Sequence, residues 1–298
     1  MSDRSTHAGQ APSLNPAWPL AAAALAAAAF TAMDATAKLL STRYDTWQIT
    51  FFRFAAGSLF ALPLWLWFRP PLPPRSALPL HLLRSVLLLL ALLAWFHSLS
   101  LLPLVQSVAV GYTAPIFIAL LAMVVLHERP SRWIWAAMAL GALGVGVSLA
   151  PEVAARAAPG GSARLEGLAA AGFSALAYSG VVVLARHQAR KDALWTIMLL
   201  QNLLPLAALS LPMAWLWRPM PLDDVGPVLL MGLLATVGLM AVTWAFTHIE
   251  ASLAAPMEYT GFVWAALLGL LLFGEVPTAT QLLSAALIVG GCLLLVRR

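Results

Sequence analysis

The 298 residues include 61% hydrophobic and only 10% charged side chains, with a mean hydropathy of +0.86 and a formal charge of +5. Too few charges remain to coat a water-soluble globule of this length, which excludes a soluble fold and indicates a membrane protein. The single cysteine, Cys292, excludes a disulfide framework and a cysteine zinc cluster, and no basic face with interleaved aromatics offers itself to nucleic acid.

Residues 1–17 are polar and turn-forming and are expected to be a disordered cytoplasmic terminus. The Ala-rich run from Trp18 lacks a strongly basic leader and continues past any cleavage point, so it reads as an uncleaved first span. Breaks at Pro, Gly and charge clusters then predict ten helices, each close to the roughly 18–20 residues that cross a bilayer. They cover 18–40, 48–68, 79–99, 104–126, 133–150, 165–186, 194–217, 225–247, 252–273 and 279–296. Leu101-Leu102-Pro103 and Ile249-Glu250-Ala251 are links so short that the helices they join must be antiparallel neighbours. The longest link, 151–164, separates a first half at 18–150 from a second at 165–296.

Residues 104–149 and 251–296 are two copies of one segment, superimposable without a gap. Tyr112-Thr113 falls on Tyr259-Thr260, Glu128 on Glu275, Pro130 on Pro277 and Gly144 on Gly291. Five spans per half is an odd number, so the second half must insert upside down relative to the first. The fold class is therefore an all-α membrane protein whose ten transmembrane helices form two inverted five-helix repeats. That architecture suits a carrier which opens a central site to each side in turn.

Orientation follows from the basic residues. Arg4, Arg69, Arg75, Arg84, Arg129, Arg132, Arg186, Arg190, Lys191, Arg297 and Arg298 lie at the termini and even-numbered exits; Lys38, Arg43, Arg156, Arg164 and Arg218 lie on the other face. The excess of positive charge marks the cytoplasmic side and places both termini there.

Ionisable groups inside spans cost about 2.5–3.5 kcal/mol each at mid-helix and tend to face a cavity or a partner. Asp34 shares a helix face with Lys38, and Arg53 opens span 2 at the same outer level, so an Asp34–Arg53 or an Asp34–Lys38 pair is expected. Two roles stay open for that pair, an ion pair that sets helix register and a gate or site. Glu258 follows Pro256 in span 9, where the first copy has Gly111. The shared scaffold thus does not require this carboxylate, which becomes a candidate for proton coupling or for holding an amine-bearing substrate. Its bland alternative is a group hydrated at the cytoplasmic interface. Gln201 and Asn202 read as ordinary helix-to-helix hydrogen bonders.

Tyr112 and Tyr259 are repeat equivalents suited to a cavity wall, and Pro115 and Pro256 are expected to kink their helices. Trp95 and Trp244 occupy roughly matching places, as interface anchors or cavity walls. His97 reads as a packed histidine or a ligand. Gly141, Gly144, Gly146, Gly290 and Gly291 give spans 5 and 10 small-residue faces for close packing or a homodimer. No phosphate loop, zinc helix motif or nucleophile elbow occurs, so no catalytic residue, metal or cofactor is assigned.

Ala-Ser-Leu-Ala-Ala-Pro-Met-Glu-Tyr-Thr at 251–260, Leu-Phe-Gly-Glu-Val-Pro at 272–277, Gln48-Ile49-Thr50-Phe51-Phe52-Arg53 and His127-Glu128-Arg129-Pro130 together resemble the EamA family of the drug/metabolite transporter superfamily. The resemblance runs from about residue 20 to 296, and His127 departs from the commoner Gly before Glu. It implies a non-enzymatic secondary carrier of the bacterial inner membrane with a cavity lined by spans 1, 3, 4, 6, 8 and 9. That would put Asp34, Trp95, His97, Tyr112, Tyr178, Trp244, Glu258 and Tyr259 on cavity-lining helices. It also implies a small-metabolite substrate, amino-acid-like, vitamin-like or metallophore-like, with export expected ahead of uptake of riboflavin or S-adenosylmethionine type. An intramembrane lipid-handling enzyme is the alternative from another class, and the sequence supplies no nucleophile or metal set for it.

Overall fold

A computed structural model describes residues 17–111, 113–128, 130–154, 161–189, 191–276 and 278–296. The expected disordered terminus lies outside these residues. The described chain is helical, in the order α1 (Ala17–Leu40), α2 (Thr46–Phe68), α3 (Leu78–Leu101), α4 (Leu104–Gly111), α5 (Ala114–Val125), α6 (Arg132–Ala154), α7 (Gly161–Ala189), α8 (Leu194–Leu216), α9 (Val225–His248), α10 (Ala251–Ala254), α11 (Gly261–Phe273) and α12 (Ala279–Val296). Six of these helical stretches among the described residues are long and apolar enough to cross a membrane, and shorter apolar helices cover 116–125 and 257–273. Large apolar side chains such as Leu59, Leu211 and Leu271 stand exposed on the outside, as lipid-facing surface does.

Spans 4 and 9 are each broken at matching places. Span 4 is interrupted between α4 and α5 beside Pro115, and span 9 passes from α10 through a 3-10 turn, Ala255–Thr260, that contains Pro256. Proline has no N–H for the helical ladder and its ring clashes with the preceding turn, so the helix stops and restarts. The sequence predicted a kink; the structure shows a full change of helix type in the second copy.

Packing follows the repeat. α1 lies along α9, and the equivalent pair, α7 and α3, lies together in the same way; α2 meets α8 and α6 meets α12. Gly232 lets α9 press on α2, since a Cβ there would meet Ala56 at 2.3 Å. The small residues of spans 5 and 10 serve packing within one chain: a Cβ on Gly291 would meet the Ala137 carbonyl at 2.9 Å, and Ser284 donates to the Gly144 carbonyl at 2.5 Å.

The helix ends at Glu128 and Glu275 share one local design. The Glu275 amide donates to the Gly269 carbonyl and the Glu128 amide to the Ala122 carbonyl, across a preceding residue in the left-handed region. That residue is Gly274 (φ 67°) in one copy and His127 (φ 55°) in the other. Glycine adopts this conformation freely, whereas a residue with a Cβ pays about 1–2 kcal/mol. His127→Gly should therefore raise thermal stability by roughly 1 kcal/mol in a detergent melt, less the entropy glycine restores to the unfolded chain. An unchanged or lowered melting temperature would show that the His127 side chain makes up the strain.

Candidate functional site

The repeat predicts which residues face one another at the centre. Thr31 on α1 donates to the Ala27 carbonyl (2.8 Å) and to the Gly261 carbonyl (3.4 Å). Ser179 on α7 donates to the Ala175 carbonyl (2.6 Å) and to the Ala114 carbonyl (3.2 Å). These are the same two bonds in each half, and they fix the register of α1 on α7. Phe30-Thr31 then matches Tyr178-Ser179, Asp34 matches Val182, and Lys38 matches Arg186.

Between the halves lies a cavity of about 180 Å³. One water needs about 10–15 Å³ on this measure, so the space suits an organic molecule rather than a lone water. Among the equivalent pairs that line it are Asp34 with Val182, Tyr178 with Phe30, Arg53 with Gln201, Trp95 with Val242, and Glu258 with Gly111. The backbone frame is two-fold, yet each pair carries its distinctive group once. Gly111 shows how: a Cβ there would meet the Trp95 ring at 2.8 Å, so the indole fills the space that Glu258 occupies in the other copy.

Asp34, Arg53 and Glu258 are the charged residues lining the cavity among those described. Neither expected pair closes to a direct ion pair, although the Arg53 guanidinium is near enough to Asp34 for the two charges to attract. Lys38 instead bonds to the Leu102 carbonyl (2.7 Å) and pairs with Glu275 (3.5 Å). Arg53 donates through Nη1 to Asn202 Oδ1, and its guanidinium lies 4.9 Å from the Phe54 ring centroid. Asp34 is 7% exposed, and its Oδ1 has no hydrogen-bond partner. Glu258 accepts a long hydrogen bond from the Tyr178 hydroxyl, 3.4 Å. Asn202 does serve as the helix-to-helix bonder expected of it, while Gln201 lines the cavity.

Other expected wall residues fall elsewhere. His97 is partly exposed and pairs with Glu166 at 2.8 Å. Trp244 is the equivalent of His97, not of Trp95, and packs against His248 with the two rings tilted and their centroids 4.4 Å apart. Tyr259 is buried against α6, where a Cβ on Gly141 would come within 2.4 Å of its ring. Tyr112 lies outside the described residues. Phe30, Thr31 and Thr243 line the cavity and were not singled out from sequence; the pairing of Phe-Thr with Tyr-Ser was the available signal.

Two more ion pairs obey the repeat. Lys38 meets Glu275 at 3.5 Å, and Arg186 meets Glu128 at 3.6 Å. The first lies where α1 and α11 end; the second lies where α7 and α5 end. Because α3 runs antiparallel to α7, with His97 beside Glu166 and Ala91 bonded to Ser174, these are opposite ends of the bundle. The cavity sits between them. The Lys38 end is further tied across the halves by Arg43–Asp224 (2.6 Å) and by the Tyr44 hydroxyl donating to Asp224 (2.7 Å).

Comparison with known proteins adds the following. The model of the EamA-like transporter family matches residues 17–150 and again 165–297. The S-adenosylmethionine uptake transporter of Rickettsia bellii is 24% identical over 266 residues, covering 89% of this chain and 88% of that protein. The pseudopaline exporter of Pseudomonas aeruginosa is 29% identical over 280 residues, covering 92% and 94%. A solved crystal structure superposes with a TM-score of 0.69 at 20% identity, over 91% of this chain and 95% of that one, and so shares the fold.

Proposed function

The chain belongs to the EamA-like transporter family, and from that premise we propose that it exports a small organic metabolite across the bacterial inner membrane by alternating access. Membership makes it a multi-pass small-molecule transporter and not an enzyme. The finer reading has ten crossings, two inverted halves at 18–150 and 165–296, and both termini in the cytoplasm.

The observation that carries it is a central cavity lined by equivalent positions of the two halves. Such a frame has two related conformations, because whatever one half does at one end the other can do at the opposite end. The ion pairs support this reading, with Lys38–Glu275 as the outer latch and Arg186–Glu128 as the inner one. Outward direction rests on similarity to the exporter relative, and the uptake relative supplies the contrary arm of the test.

Purified protein in liposomes, given a metabolite panel with and without a pH gradient, should move a restricted set of organic solutes. No solute-specific flux under any gradient would defeat the reading. Accumulation inside intact expressing cells, rather than depletion, would reverse the direction and leave the carrier standing.

A further inference from the structure

The cavity's charge pattern narrows the substrate. Two carboxylates, Asp34 and Glu258, line it, and the guanidinium of Arg53 is the one cationic side chain facing it among the described residues. Arg53 is already held by Asn202 and by the Phe54 ring, and it makes no direct ion pair with either carboxylate. Both carboxylates meet neutral donors, Glu258 the Tyr178 hydroxyl and Asp34 the Trp95 indole, and Asp34 keeps its Oδ1 with no hydrogen bond. A carboxylate out of water without a cation is costly, and completing its hydrogen bonds with a charged donor recovers most of that cost.

The walls point the same way. Trp95, Tyr178, Phe30 and Phe246 contribute aromatic rings to the lining. Aromatic faces attract ammonium groups and repel carboxylates, and the attraction strengthens where water is excluded. The repeat explains how this site arose on a symmetric frame: Val182 and Gly111 stand where Asp34 and Glu258 stand in the other half, so both carboxylates are additions that packing does not need.

Building on the carrier reading above, we propose that the transported substrate bears a cationic nitrogen, an amine or other organic ammonium, held by the Asp34 and Glu258 carboxylates and packed on the Trp95–Tyr178 wall. One carboxylate comes from the first half and the other from the second. A bound cation therefore bridges the two halves, and its presence is felt by both when they move.

The test uses the full chain in lipid nanodiscs and two matched probe sets, tryptamine with indole-3-ethanol and indole-3-acetate, and butylamine with butanol and butyrate. Equilibrium binding should favour the amine of at least one set over its alcohol and its acid by about tenfold or more. Asp34→Asn and Glu258→Gln should each erase that preference while the melting temperature is held or raised. Equal binding across both sets, preference for an acid, or no amine binding at all would overturn the proposal. Solute-specific flux in liposomes is measured on the same preparations. Flux without amine preference sinks the substrate class alone, whereas absence of all flux sinks the carrier reading.

Discussion

Glu128→Arg is expected to lower net transport by at least about tenfold and to open the cavity toward the Arg186 end. The substitution sets two guanidiniums against each other where an ion pair now ties the ends of α7 and α5 at 3.6 Å. Burial decides which latch matters more. The Arg186 and Glu128 side chains are 9% and 3% exposed, against 15% and 25% for Lys38 and Glu275. Breaking a buried pair costs about 3–5 kcal/mol and an exposed pair is worth about 0–1, with the partly exposed Lys38–Glu275 pair falling between. About 3 kcal/mol is on the order of a hundredfold in an equilibrium constant, enough to hold the carrier in one state. Glu275→Lys should act in the same sense at the opposite end, with a smaller effect.

The readout is labelling of a cysteine at Val242, inside the cavity, in a Cys292→Ser background. An impermeant maleimide should reach it faster from the Arg186 side in Glu128→Arg and faster from the Lys38 side in Glu275→Lys. The swapped double variant Glu128→Arg with Arg186→Glu should regain both transport and the original labelling ratio. Labelling that is unchanged from both sides in both single variants would remove the latches from the mechanism. It would leave them as ties between helix ends.

The parts of this molecule that were legible in its sequence are those where identity survived duplication. Tyr-Thr, Glu-x-Pro and paired glycines mark the copies at 104–149 and 251–296 directly. α1 and α7 are equally related, but through substitutions of like for like: Phe30 for Tyr178, Thr31 for Ser179, Lys38 for Arg186. Only the matching hydrogen bonds of Thr31 and Ser179 expose that register, and with it the partner of each latch. Asp34, Arg53 and Glu258 could be picked out because a charge in lipid is expensive wherever it points. Trp95, Trp244, His97 and Tyr259 could not be sorted, because these helices are apolar on lipid-facing and protein-facing sides alike, so hydropathy carries no direction. Trp95 reaches the cavity and Trp244 does not because α3 and α9 correspond with Trp244 opposite His97. A sequence match of tryptophans two residues out of register hid that.

Asp34→Asn separates the two roles that the sequence left open for this carboxylate. If Asp34 held helix register through an ion pair, its removal would strand a buried cation and destabilise the fold by about 3–5 kcal/mol. The structure gives it no direct ion pair: Lys38 is engaged by Glu275, and Arg53, though near enough to attract Asp34, is bonded to Asn202. Its Oδ1 is buried without a hydrogen bond. The amide keeps the shape and removes a buried charge that Arg53 offsets only at a distance, so the melting temperature should hold or rise, by an amount of order 1–3 kcal/mol. Transport should fall by about 10–100-fold, the worth of one charge-assisted hydrogen bond to substrate. Glu258→Gln should behave alike, with the Tyr178 contact retained by the amide oxygen. Stability gained as function is lost is the mark of a binding group held against the preference of the fold. Asn202→Ala is the contrasting control: it strips Arg53 of its acceptor, so it should lower the melting temperature. An Asp34→Asn protein that melts earlier and transports normally would return this carboxylate to a structural role.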